Sequence, residues 1–150
     1  MLIRNYLEED FPALCLIHDA ARKQELSVAN LDDAFLPLKI AAQREDLFSY
    51  QILVAEKAGS VRGFIAFTEN EIAWLYVDPA YQRQGIASQL ISAALEKMPA
   101  EKIYLEVLKG NDRAKRLYEH FGFGVVSEES GKMPGNESFD VTVYVMSKTM

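Results

Sequence analysis

One cysteine, two histidines and no long apolar run set the first limits on this chain of 150 residues. Cys15 has no second thiol to pair with, and His18 and His120 are too few to build a zinc centre of Cys and His ligands, so neither an internal disulfide nor a metal site is expected. Cationic residues are also scarce. The 16 Lys and Arg stand against 22 Asp and Glu, a formal net charge of −6. Nucleic-acid binding draws on many Lys and Arg neutralising phosphates, so the balance argues against such a partner and favours a positively charged or amine-bearing one. Near the N-terminus, Glu8, Glu9 and Asp10 interrupt the apolar residues before a signal peptide or membrane span can form, which reads as a cytoplasmic chain with no membrane partner. Glycine and proline are few and scattered, and no repeat or linker divides the sequence.

What is present is ordinary globular material. Hydrophobic residues at 49% and charged residues at 25% suit one domain over residues 1–150 with a single well-buried core. From about Asp10, a plausible N-cap, Phe11, Leu14, Cys15 and His18 recur at helical spacing. Leu31 to Phe48 reads as a second, less regular helical region interrupted by Pro37. Ile52–Ala55 and Val61–Phe67 read as strands joined in a hairpin through Lys57-Ala58-Gly59-Ser60. The run from Ile72 to Val77 is apolar on both faces, as a central strand should be. A helix ending near Met98, a strand over Ile103–Leu108 and a helix stopped at Gly122 follow. Two further strands are expected near Gly124–Glu128 and Asp140–Met146, with Ser127–Ser138 between them as a long polar loop and candidate acceptor-binding segment. The order gives a mixed α/β (α+β) fold.

One segment points to chemistry. Val77-Asp78-Pro79-Ala80-Tyr81-Gln82-Arg83-Gln84-Gly85-Ile86-Ala87 sets a polar loop between a strand and a helix N-terminus. The first N–H groups of a helix have no intrahelical partners and its dipole is positive there, so backbone donors from Gln84 to Ser88 are able to cradle a pyrophosphate, with Gly85 allowing close approach. An ordinary strand-to-helix turn accounts for the same spacing.

Gln82-Arg83-Gln84-Gly85-Ile86-Ala87 resembles the Q/R-x-x-G-x-G/A acyl-CoA loop of the GNAT superfamily of N-acetyltransferases. Downstream, the segment from Asn111 through Ala114 and Tyr118 to Gly122-Phe123 resembles that superfamily's N-x-x-A-x-x-x-Y-x-x-x-G-F motif. The match is densest from Glu71 to Phe123, and Ala87 departs from it where glycine is common. The resemblance implies a mostly antiparallel central sheet flanked by helices, with a splay between the fourth and fifth strands. It implies acetyl-CoA as the acyl donor, held by Gln82, Arg83, Gln84, Gly85, Ile86, Ala87 and Ser88 at its pyrophosphate. Main-chain groups of Leu75 and Val77 would meet the thioester carbonyl and pantetheine amides. Asn111, with Ala114 at the motif's alanine, would contact the same cosubstrate, and Tyr118 would be the general acid at the sulfur.

The base is open between Glu71, which resembles in position the base of histone-type members, Glu106, which resembles that of ribosomal-protein N-terminal acetyltransferases, and a water chain. A base matters most for a lysine-like acceptor. Freeing its neutral amine at pH 7 costs about 4.6 kcal/mol, against about 1.1 kcal/mol for an α-amine. His18 reads as a packed or surface histidine, and His120 should point away from Tyr118. Glu8, Glu9, Asp10, Asp32, Asp33, Glu128, Glu129 and Glu137 are candidates to attract a cationic amine, or simply solvated charges. The expected function is N-acetyl transfer to a small-molecule amine or a peptide N-terminus. A noncatalytic acyl-CoA sensor or interaction module on the same fold is the rival reading. Exposed strand edges near the C-terminus are able to pair two subunits as a homodimer.

Overall fold

A computed structural model describes residues 1–150 throughout. Strands β1 (Leu2–Asn5), β2 (Gln51–Lys57), β3 (Ser60–Phe67) and β4 (Ile72–Val77) form an antiparallel sheet in that order. The β2–β3 hairpin turns through Ala58 and Gly59, whose φ angles of 55° and 79° give the left-handed pair that suits the twist of two-residue hairpins. Alternate residues of β2 and β3 enter two different cores. Ile52, Val54, Phe64 and Ala66 pack against α1 (Phe11–Val28) and α2 (Leu38–Arg44). Leu53, Ala55 and Ile65 pack against α3 (Ile86–Lys97). Burial on both faces is why these strands read as continuous apolar runs, and each fully buried Leu or Phe contributes roughly 1.5–3 kcal/mol.

Gly63 sets how closely α3 approaches. A Cβ there would lie 3.1 Å from Ile86 Cγ2 and 3.1 Å from the Tyr76 carbonyl oxygen. The helix therefore lies directly on the sheet, and its N-terminus is fixed beside the end of β4.

A second antiparallel sheet contains β5 (Lys102–Leu108), β6 (Gly124–Met133) and β7 (Asn136–Thr149), in the order β5-β7-β6. Helix α4 (Asp112–His120) connects β5 to β6 and places Tyr118 in the α3-side core. The two sheets meet where β4 and β5 run parallel. Their junction is one bridge, Glu71 to Tyr104, reinforced by the Tyr104 N–H donating to the Asn70 carbonyl at 2.8 Å. Beyond it no ladder joins them, so the sheet splays between its fourth and fifth strands.

Several details differ from the sequence reading. Strand β4 is the last strand of its own sheet, and its free edge faces the splay. Ala73 is exposed, while Leu75 and Tyr76 are half-buried. The supposed loop Ser127–Ser138 is largely strand, a long hairpin closed by Pro134-Gly135. Asp10 does not cap α1. Its carboxylate accepts from Arg4 Nη1 and Nη2 at 2.8 and 2.9 Å and from the Leu7 N–H at 2.8 Å, which holds its pKa below the usual range. Pro37 does interrupt the helical region, in the gap between a 3-10 turn (Asp32–Ala34) and α2, whose N-cap position it takes, whereas β1 had no signal in the sequence reading.

Candidate active site

The splay opens into a cavity of about 940 Å³. Its walls come from the free edge of β4, the end of β5, the loop before α3, the start of α4, the second half of α1 and the tip of the β6–β7 hairpin.

At one end lies the loop before α3. Asp78 accepts the Ala80 N–H at 3.0 Å and fixes the turn out of β4. Arg83 and Gly85 then take φ angles of 64° and 82°, which turn the chain into the helix. None of the N–H groups from Gln84 to Ser88 meets an acceptor within the protein. These are five free donors at the positive end of a three-turn helix, an arrangement of the kind that suits an anion. A Cβ on Gly85 would touch no protein atom, so the demand for glycine comes from its positive φ. Arg83, Arg113 and Arg116 line the same end, all exposed.

Gln82 is placed differently from its loop neighbours. Its Nε2 donates to the Gln24 side chain at 3.2 Å and to the Val77 carbonyl at 3.4 Å, while its Oε1 accepts from Arg113 at 3.0 Å. It ties α1, β4 and α4 together. Gln84 likewise accepts from Lys57 at 2.7 Å.

Along β4, the Asp78 N–H donates to the Arg62 carbonyl on the β3 side. Strand alternation then turns the main-chain groups of Tyr76 toward β3 and those of Leu75 and Val77 toward the splay. Asn111 is the N-cap of α4. Its Oδ1 accepts the Ala114 N–H at 3.4 Å, and its Nδ2 donates to Glu25 at 3.2 Å.

Tyr118 lies deeper, with its ring 7% exposed and edge-on to Phe123 at 5.9 Å. Its hydroxyl has no partner in the protein and is not sealed off, and the residue lines the cavity. Burial first, and the nearby charge of Glu25 second, push its pKa well above that of a free phenol. The proton therefore stays on the oxygen at neutral pH.

Glu71 and Glu106 both line the cavity, from the junction and from β5. Neither forms an ion pair. Burial, then the charges of Glu71 and Glu129, raise the Glu106 carboxyl above its ordinary value.

Glu25 was not anticipated. From α1 its carboxylate pairs with Arg22 and accepts from Tyr76 Oη at 3.2 Å as well as from Asn111. One side chain thus joins α1, β4 and α4 across the splay. No motif marks it, because its partners lie 51 and 86 positions away.

The cavity's acidic residues are Glu25, Glu45, Glu71 and Glu106 at its wall and Asp112 at the start of α4. Of the eight earlier candidates for attracting a cation, none lines it. Asp10 is held by Arg4, and Glu128 pairs with Lys109 at 3.0 Å. His18 is buried beside Tyr76 and Trp74, with ring centroids 4.9 and 6.0 Å away, and burial lowers its pKa, so it is neutral at pH 7. His120 is exposed on the outer side of α4.

No helix is long and apolar enough to cross a membrane. Known proteins share this architecture. The profile of the acetyltransferase (GNAT) family matches residues 4–123. An N-acetyltransferase of Escherichia coli K12, YafP, whose own role is uncharacterized, is 30% identical over 131 residues, covering 85% of this chain and 83% of that protein. A ribosomal protein bS18-alanine N-acetyltransferase from Haemophilus ducreyi is 28% identical and covers 89% of each chain. The crystal structure of a GCN5-related N-acetyltransferase from Rhodopseudomonas palustris superposes with a TM-score of 0.83 at 20% identity, over 99% of this chain and 95% of that one. A family profile spanning four fifths of the sequence, together with a 30% identical relative aligned along most of its length, makes this chain a member of the GNAT acetyltransferase family, an acyltransferase.

Proposed function

We propose that the protein transfers the acetyl group of acetyl-CoA to a primary amine of a small molecule or a peptide N-terminus, by direct attack. The observation that carries this reading is the arrangement of one cavity. Five unpartnered backbone donors and three guanidiniums stand at one end, and an unpartnered protonated phenol and free carboxylates lie further in.

Acetyl-CoA supplies an activated acyl thioester. Gln84, Gly85, Ile86, Ala87 and Ser88 hold its pyrophosphate through their N–H groups, with Arg83 alongside. Gln82, whose side chain is committed to Gln24, Val77 and Arg113, shapes the loop instead of meeting phosphate. Leu75 and Val77 orient the pantetheine arm and polarise the thioester carbonyl through the free edge of β4. Asn111, capped onto Ala114, holds the start of α4 against this arm. Glu106 is the better base of the two candidates, because its raised pKa brings it nearer the ammonium it must deprotonate. Glu106 first passes the ammonium proton to water; the neutral amine nitrogen then bonds to the carbonyl carbon and loses one further proton to Glu106. The carbon–sulfur bond breaks, and the sulfur takes one proton from Tyr118. The products are an amide and a free thiol, and proton exchange with water restores both side chains.

The test is a calorimetric titration with acetyl-CoA, followed by thiol-release assays over amines, α-amino acids and short peptides. Binding with release is expected. Binding with no release from any acceptor would favour a noncatalytic acyl-CoA module, and no binding would overturn the reading at its root.

A further inference from the structure

Helix α4 carries the proposed acid but rests lightly on the molecule. Tyr118 is its one buried residue. The Tyr118 hydroxyl has no partner in the protein, so its place depends on where the helix lies and on the contact of its ring with Phe123. At the far end of α4, Lys148 Nζ donates to the Phe121 carbonyl. At its start, Arg113 donates to Gln82 at 3.0 Å, where water competes because Arg113 is exposed. Asn111 donates to Glu25 at 3.2 Å in a part-buried setting. Asn111 stands about two helical turns before Tyr118 and on the same face, so a displacement there moves the phenol.

The fixed member of this contact is α1. Leu26, next to Glu25, is fully buried and packs with Ala34 and Met133. The tip of the β6–β7 hairpin is fastened over the inner end beside it. There the Gly135 carbonyl accepts from Arg44 Nη1 at 2.8 Å, and Asn136 Nδ2 donates to the Ala34 carbonyl at 2.9 Å.

Each of the three partners of the Glu25 carboxylate is a donor. Oε1 accepts from Arg22 Nη1 and from Tyr76 Oη, the latter at 3.2 Å, and Oε2 accepts from Asn111 Nδ2. Asn111 in turn gives its Oδ1 to the Ala114 N–H at 3.4 Å, so one orientation of its amide serves both neighbours. An amide in place of the carboxylate would set N–H against N–H at one partner whichever way it turned. Tyr76 lies between Leu75 and Val77, the residues whose main-chain groups face the splay.

We infer that Glu25 is a positioning residue for the transfer: by accepting from Tyr76 and Asn111 with separate oxygens, it holds the start of α4, and Tyr118 with it, in a set place opposite the free edge of β4. This deepens the acetyl-transfer reading and rests on it for the effect on rate. Misplacing a reacting group by about 1 Å costs on the order of 100-fold. Glu25 itself takes no proton from the amine, because both of its oxygens are spent on donors of the protein.

Three variants are compared with the wild type: Glu25→Gln, Asn111→Asp, and the two together. Each single change leaves a mismatch, donor against donor in the first and carboxylate against carboxylate in the second. The double variant matches again. Its new carboxylate accepts from the Ala114 N–H and from the new amide, whose oxygen keeps Arg22 and Tyr76. Thiol release at saturating acetyl-CoA should fall about tenfold or more in each single variant and return to within about threefold of wild type in the double. Exchange of the Ala114 amide, followed by NMR, should quicken about fivefold in Glu25→Gln, as for a lost N-cap bond, and slow again in the double. Wild-type turnover in Glu25→Gln, a fall in turnover with no change in exchange, or a double variant no faster than the single ones would each overturn the positioning role while leaving acetyl transfer intact. If a single variant does not fold, the double decides, a folded and active protein supporting the role and an unfolded or inactive one overturning it. If the wild type releases thiol with no acceptor, the transfer reading fails, and amide exchange decides the positioning alone. Quickening in Glu25→Gln that the second change reverses supports it, and any other pattern overturns it.

Discussion

The two ends of the cavity are built from different materials. The outer end presents unpartnered main-chain N–H groups of one continuous segment, Gln84 to Ser88, and the anion site proposed there rests on a helix terminus. The inner end is assembled from side chains far apart in sequence: Glu25 and Glu45 between β1 and β2, Glu71 at the strand junction, Glu106 on β5 and Tyr118 on α4. Backbone recognition tolerates changes of side chain but depends on φ angles. Side-chain recognition tolerates small backbone changes but depends on each charge and on the packing that brings it there.

Substitutions that separate the two ends test this difference. The largest effect is expected at the inner end. Tyr118→Phe removes the proton donor and keeps the ring packed on Phe123, so turnover should fall about 100-fold or more with acetyl-CoA affinity unchanged by calorimetry. An unaltered rate would remove Tyr118 from the acid role.

At the outer end the converse is expected. Gly85→Val forces a β-branched residue into φ 82° and should weaken acetyl-CoA binding by roughly tenfold to a hundredfold. The thermal midpoint should fall only by the several degrees that the backbone strain accounts for, because no protein atom crowds that position. Unchanged affinity would show that the loop does not hold the pyrophosphate.

A smaller effect concerns charge at the inner end. The Glu106 carboxyl should titrate above the usual glutamate value of about 4.3 when followed by carbon NMR. Burial should persist in Glu71→Gln, but the repulsion from Glu71 is gone, so the midpoint should drop toward the ordinary glutamate value without reaching it. A midpoint unmoved by that substitution would show that the Glu71 charge does not reach the Glu106 carboxyl.

Least effect on either end is expected from Asp10, which lies outside the cavity. Asp10→Ala should cost about 1.5–3 kcal/mol in urea denaturation at pH 7 and leave acetyl-CoA affinity alone. Its folded-state pKa is depressed, so the wild-type advantage is full above the unfolded value of about 3.9 and is lost as pH falls through the lower folded value. An advantage undiminished as the pH falls below the unfolded value would contradict the Arg4 pairing as its source.

The sequence showed the outer end more clearly than the inner one for a physical reason. A helix terminus and its glycine are local, so Gln84 to Ser88 could be read as a candidate anion cradle without knowing what lay opposite. Even there, the sequence did not reveal that the Gln82 amide is spent on Gln24, Val77 and Arg113. The hairpin Gly124–Thr149 shows the opposite case. Nine of the ten residues of β6 are exposed, so no apolar alternation marks it, and it is a strand because β7 pairs with it. Strand β4 read as central because both its faces are apolar, although hydrogen bonding leaves one edge free.

What the sequence determined by itself was periodic or local: the helices with one apolar face, the strands buried on both, the glycine turns, the order of elements and the two motif segments that resemble the family. Tertiary structure alone decided which carboxylates share the cavity, that Glu25 joins three elements, and that the hairpin tip is fastened over the inner end. Those features depend on residues dozens of positions apart. Sequence spacing carries the pitch of a helix or the pleat of a strand, but it holds no record of which elements the two cores bring face to face.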